Sequence, residues 1–163
     1  GNKFPEFLKE CTYSELRPKY KITGDKKSVY RTDVIKKCNP YPEFENEKFV
    51  PLYLPIVIDK DYKVLCFNEI LCYVEYQHDG STLNIFKQYL KNPYGFAHYR
   101  NILIKYNPFI IEKFRNSIHL ISSSIFIKNM KYIFNSSHKL LIFFSIPFGL
   151  LFHIVVLYKN KYY

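Results

Sequence analysis

The chain is most constrained by its final apolar run. From Leu140 to Tyr158 there are 19 consecutive residues without a charge, with Lys139 before them and Lys159 after. As a helix at 1.5 Å per residue, this run reaches about 28 Å, close to the ~30 Å hydrocarbon core of a bilayer. The flanking lysines suit the headgroup level, where long side chains reach water, and Tyr158 stands at one edge as interfacial aromatics do. Ser145 and His153 are the only polar side chains before Tyr158 and do not make a polar face. The run therefore predicts a single transmembrane helix carrying Leu140, Phe144, Pro147, Gly149, His153 and Tyr158. A kink is expected at Pro147, where the ring removes a backbone donor. The competing reading is a core helix buried on every side.

Ahead of this run lies a second patterned stretch. Ile111, Phe114, Ile118, Ile121 and Ile125 recur at spacings of three and four, with Glu112, Lys113, Arg115 and Asn116 off the stripe. The pattern predicts an amphipathic helix over 108–135, started by Asn107 as cap and Pro108 at its first position. Its stripe could lie at the headgroup level or against a partner subunit; equally, it could pack into an ordinary core. Asn135 or Ser136 could cap the transmembrane helix that follows.

The remainder divides into two further regions. Residues 1–48 hold turn-rich stretches such as "ITGDKKS" and little amphipathic pattern, and read as an extended arm held in place by a partner surface. Gly1 is expected to follow removal of Met or of a leader. Residues 49–107 read as a small α+β region. In it, "FVPLYLPIVI", "VLCF" and "ILCYVEY" suggest short strands joined by hairpin turns, with Pro51 and Pro55 confining the first run to an edge. A turn at Asp79-Gly80 and a helix cap at Ser81 should then open two short helices, over 82–91 and 96–106. The expected fold class is thus mixed α+β and mainly helical in the C-terminal half. It combines an extended N-terminal arm, a short β-hairpin section, the amphipathic helix, and a membrane helix with a short tail over 136–163.

The net charge of +10 would ordinarily suggest a nucleic-acid partner. Composition weakens that. Lys, Asn, Ile, Tyr and Phe make up about half of the chain, Ala occurs once, at Ala97, and Trp is absent. The favoured residues have AT-rich codons, so much of the charge reflects coding bias. The lysines are scattered, and only four arginines could fork onto bases. Neither nucleic acid nor a small-molecule substrate is expected.

No phosphate loop, nucleotide fingerprint, zinc-protease or nucleophile-elbow motif occurs. None of the five histidines is three or four residues from another, so no metal site, haem site or other cofactor is expected. His153 alone lies where a haem ligand or proton relay would want to be, but a single anchor supplies only one such ligand. Its plainer role is a hydrogen bond to a neighbouring subunit. Cys11, Cys38, Cys66 and Cys72 lack CxxC spacing, and permit either two disulfides or free thiols. The abundance of Tyr and Phe suits a surface that grips other proteins.

The expected function is a non-catalytic accessory subunit of a large membrane complex. The preferred setting is the mitochondrial inner membrane, in a respiratory-chain or ATP-synthase assembly, with the bilayer and other subunits as partners. The alternative is a tail-anchored or secretory-pathway single-pass protein with a disulfide-braced binding module, marked by a Cys66–Cys72 or Cys11–Cys38 bridge.

Overall fold

A computed structural model describes residues 1–38, 40–73, 75, 80 and 84–162. The chain is mostly helical, with a small two-stranded sheet. It divides into two compact units. One comprises residues 1–40 and 54–75, the other 41–53 and 76–163. The turn expected at Asp79 and the cap expected at Ser81 lie outside the described residues.

In the first unit, β1 (Glu10–Cys11) pairs antiparallel with β2 (Val64–Leu65), Glu10 opposite Leu65 and Cys11 opposite Val64. The side chain of Asn68 prolongs the ladder. It accepts from the Phe4 amide and donates to the Phe4 carbonyl, both at 2.8 Å. A 3-10 turn follows at Tyr13–Glu15, where the Asp59 carboxylate accepts the Tyr13 and Ser14 amides at 2.5 and 2.7 Å. Two short helices complete the unit, α1 (Thr32–Ile35) and α2 (Leu54–Ile58). Its small core joins Leu8, Cys11 and Cys66, fringed by Phe4, Leu16 and Tyr20.

Two expectations are corrected here. Residues 1–48, expected as one extended arm held by a partner surface, are divided: 1–40 fold with 54–75, and 41–48 belong to the second unit. There is also no β-hairpin section among the described residues: the heart of "FVPLYLPIVI" is helical, and β2 finds its partner in the N-terminal segment. A short apolar run fits a buried helical turn as well as a strand. Pro55 tips the balance, since at the second helical position its missing N–H costs nothing, whereas in a ladder it would leave a gap.

The second unit holds α3 (Ile85–Lys91), α4 (Pro93–Tyr106), α5 (Ile110–Ile127), α6 (Lys131–Phe134) and α7 (Lys139–Tyr162). Pro93 stands at the first position of α4, where proline is favoured. The Tyr94 and Gly95 amides at that helix start both donate to the Glu47 carboxylate at 2.7 Å, so a distant segment caps the helix. Gly95 is required there, because a Cβ would stand 2.5 Å from the Phe49 carbonyl oxygen.

Asn107 closes α4 instead of opening α5. Its side chain accepts the Phe109 amide at 2.9 Å, and the next helix begins at Ile110. α5 stops at Ile127, short of the expected 135, because Lys128 turns left-handed at φ 56° and caps it. Contacts between α5 and α7 rise together in number: Lys113 with His138, Ile121 with Gly149, Phe126 with His153. The two helices therefore run in the same direction. The connection through α6 brings the chain back, resting on α4 through Tyr132, whose carbonyl accepts from Asn101 Nδ2 at 3.2 Å. The core formed between these helices joins Ala97, Ile104, Leu120, Ile121 and Ile142.

Beside it sits a polar pocket of side chains. Arg100 Nη1 donates to Asn116 Oδ1 at 2.8 Å, and the His119 ring packs on Phe152 with centroids 4.2 Å apart. His119 Nδ1 is shielded from water and has no partner. Burial, aided by Arg100 and Arg115, pushes its pKa down from 6.5 to about 3. The unfolded chain thus binds a proton that the folded chain refuses between roughly pH 6.5 and 3. Stability is full above that window and falls as pH drops through it, by at most about 1.4 kcal/mol per pH unit. Replacing His119 with Gln should flatten this acid limb in detergent-solubilised protein melted at a series of pH values. Independently, Glu47→Ala should remove both acceptors at the start of α4 and cost on the order of 1 kcal/mol, measured by chemical denaturation.

Candidate membrane-facing site

The long C-terminal helix α7 is the one helix among the described residues with the length and apolarity to cross a membrane. It runs unbroken through Pro147, which lies on its exposed side. Only 22% of its apolar window is buried within the chain, whereas the core helix of a soluble domain would be mostly buried. The burial is also one-sided. Ile142, Ser145, Gly149 and Val156 are buried, and at 100° per residue they share about 60° of arc. Leu140, Phe143, Phe144, Leu151, Ile154 and Tyr158 are between 58% and 78% exposed and cluster on the opposite side. Phe148, Leu150 and Leu157 widen this bare face.

The covered side explains how close α7 comes to its neighbour. A Cβ on Gly149 would fall 2.6 Å from Cβ of Ile121, so only glycine fits. Small polar residues are buried on both helices. Ser117 and Ser124 of α5 and Ser145 of α7 are fully buried. Each hydroxyl donates to the carbonyl four residues earlier, at 2.9, 2.9 and 2.8 Å, so burial strands no hydroxyl proton. Ser145 and Gly149 form a small-xxx-small pair, the spacing that lets helices approach closely where lipid supplies no hydrophobic drive.

The expected site residues separate in this geometry. Of the stripe, Ile121 is buried under Gly149, Phe114 meets Phe148 edge to face, and Ile125 packs against the core. Ile118 is half-buried, and Ile111 stands 78% exposed at the start of α5. The buried residues of α5 are Asn116, Ser117, Leu120, Ile121 and Ser122 to Ser124, and the serines went unread because the pattern scores them as polar. On α7, Leu140, Phe144, Pro147 and Tyr158 lie on the exposed side and Gly149 in the seam. His153 is half-buried. Its Nδ1 lies 3.3 Å from Ser122 Oγ and its ring stacks near Phe126, so its partners belong to its own chain.

Charged and polar groups collect at both ends of the helix. Lys113 Nζ reaches His138 Nε2 at 2.6 Å beside Lys139, and Lys159 and Lys161 follow the apolar run. Asn160 ties the far end to α3 by donating to the Phe86 carbonyl at 3.0 Å. Among the described residues, no cluster of His, Cys, Asp or Glu is arranged to hold a metal ion. Comparison with known protein families, with characterised proteins and with solved structures finds no match to this chain.

The seam makes a direct prediction. Gly149→Leu should destabilise the helical unit by about 1–3 kcal/mol through overpacking against Ile121. Leu151→Ala on the bare face should be nearly silent in detergent. Thermal unfolding of the two variants side by side checks this.

Proposed function

We propose that the chain is a single-pass, non-catalytic accessory subunit of a larger membrane assembly, anchored through α7. The carrying observation is the bare apolar face that runs the length of that helix. A contiguous face of this size in water would be an aggregation liability, and lipid or an apolar helix of another subunit covers it at no such cost. The cations at both ends of the run fit the two headgroup layers. The many exposed tyrosines elsewhere, Tyr73 and Tyr41 among them, suit contacts with other subunits. As its address we propose the mitochondrial inner membrane, in a respiratory-chain or ATP-synthase assembly. A basic chain with one moderately apolar helix and no recognisable catalytic motif is in keeping with that setting.

One observation favours a second reading, a single-pass protein of the secretory pathway with a disulfide-braced module. Cys11 and Cys66 stand with their sulfurs 3.9 Å apart. The pair differs from the Cys66–Cys72 and Cys11–Cys38 bridges expected of such a module.

Alkaline carbonate extraction tests the anchor. Wild-type protein should stay with the membrane pellet and co-purify in mild detergent with other membrane subunits. Leu151→Arg places a charge at mid-span, worth about 2.5–3.5 kcal/mol against insertion, and should shift the protein toward the supernatant. Recovery of wild-type protein as a free monomer in the supernatant would overturn the proposal.

A further inference from the structure

We propose that Cys11 and Cys66 are joined by a disulfide in the mature protein, and that the first unit therefore faces an oxidising compartment. The inference stands on the first unit alone and does not depend on α7 being in lipid.

The two thiols meet because of the strand register. Cys11 lies opposite Val64, and the Cys66 amide donates to the Lys9 carbonyl at 2.9 Å, so Cys66 sits one step diagonal to Cys11 on the same face of the ladder. That face turns inward. Both cysteines are buried, with Leu8 in the same cluster and Phe4, Leu16 and Tyr20 packed against it. The Glu10–Lys63 ion pair, at 2.5 Å, holds the register from outside. The sulfurs stand 3.9 Å apart across 55 positions of sequence, and a slight shift of the two short strands with rotation of the side chains would bring them to bonding distance.

The unit also has a use for the bond. Its sheet is two residues long on each side, and around the cluster of Leu8, Cys11 and Cys66 it buries few other large apolar side chains, Ile22, Val34, Leu54 and Ile56 among them, so a cross-link adds to a small core. A cross-link that closes so long a loop removes more unfolded-state freedom than one between near neighbours would. The other two cysteines are not so placed. Cys72 is exposed, and Cys38 donates to the Val34 carbonyl at 3.6 Å.

The chemistry is thiol–disulfide exchange with a dithiol oxidase or a low-molecular-weight disulfide. One cysteine, as thiolate, attacks the oxidant's disulfide to give a mixed disulfide, and the second displaces the carrier from it. The S–S bond forms, the oxidant's disulfide is reduced to two thiols, and the two cysteine protons pass to them. Burial, and the facing Cys66, push the Cys11 thiol up to about 12, so in the folded chain it stays protonated and slow to react.

The test uses full-length protein from its native membrane. Cells are quenched in acid, denatured with N-ethylmaleimide and digested without reductant, and the peptides are mapped by mass. A Cys11–Cys66 peptide, lighter by two hydrogens than its halves and lost on reduction, with Cys38 and Cys72 alkylated, supports the proposal. Alkylation of all four thiols, or a bridge from Cys11 or Cys66 to Cys38 or Cys72, overturns it. Carbonate extraction of the same preparation reports the anchor separately, so either idea can fail while the other stands.

Discussion

The helical unit depends on one close approach. At Gly149, α7 comes so near to Ile121 that a single methyl group would collide. Two helices can lie that close only when small residues line the seam. Ser145 lies one turn before Gly149 on the covered side of α7, and its hydroxyl turns back onto its own helix; Ser117 and Ser124, fully buried on α5, satisfy themselves in the same way. This arrangement has a directional consequence. It covers a narrow strip of α7 and leaves the opposite side, with Phe143, Phe144 and Leu151, exposed. The seam explains why α7 is neither a free rod nor a core helix: it is docked along one edge and bare along the other.

Polar groups inside the helical unit follow the same economy. Asn116 accepts from Arg100 and donates to the Glu112 carbonyl, so a buried amide is used at both ends. At His119 burial behind Tyr89 and Phe152 disfavours the charged form first, and Arg100 and Arg115 add to it. His153, the most suggestive residue of the apolar run, is occupied by Ser122 and Phe126. A polar side chain on an apolar helix needs a partner wherever it is buried, and a same-chain serine meets that need as well as a cofactor would.

How much of this could be read in advance varied with the range of the forces involved. The apolar run of α7 is a matter of length and charge, both local, and 19 uncharged residues between lysines state it directly. The helix α5 was legible from its stripe, although its end at Lys128 was not, because no glycine marks the left-handed cap there. The strand pair was hidden. Two residues in a lysine-rich N-terminal segment carry no period, and their partner lies over fifty positions away. The reading of "FVPLYLPIVI" as strand failed for a different reason: a short apolar run has no period long enough to choose between strand and helix. The buried serines were missed because they count as polar in a hydropathy pattern, whereas in a helix they are small residues able to satisfy themselves.

The charges at the ends of α7 carry the last step. A helix on its own favours acids in its first turn and cations in its last, to complement the backbone dipole. α5 begins that way with Glu112. α7 does not: its first turn has Lys139 and no acid, while its last turn carries Lys159 and Lys161. Because α5 and α7 run in the same direction, their dipoles add instead of cancelling, and the cation at the start of α7 is still less favourable to the helix pair. Helix stability therefore accounts for one end of the run and not for the other. A boundary with water at each end of an apolar span accounts for both, since there the lysines are placed by the span's edges and not by the dipole.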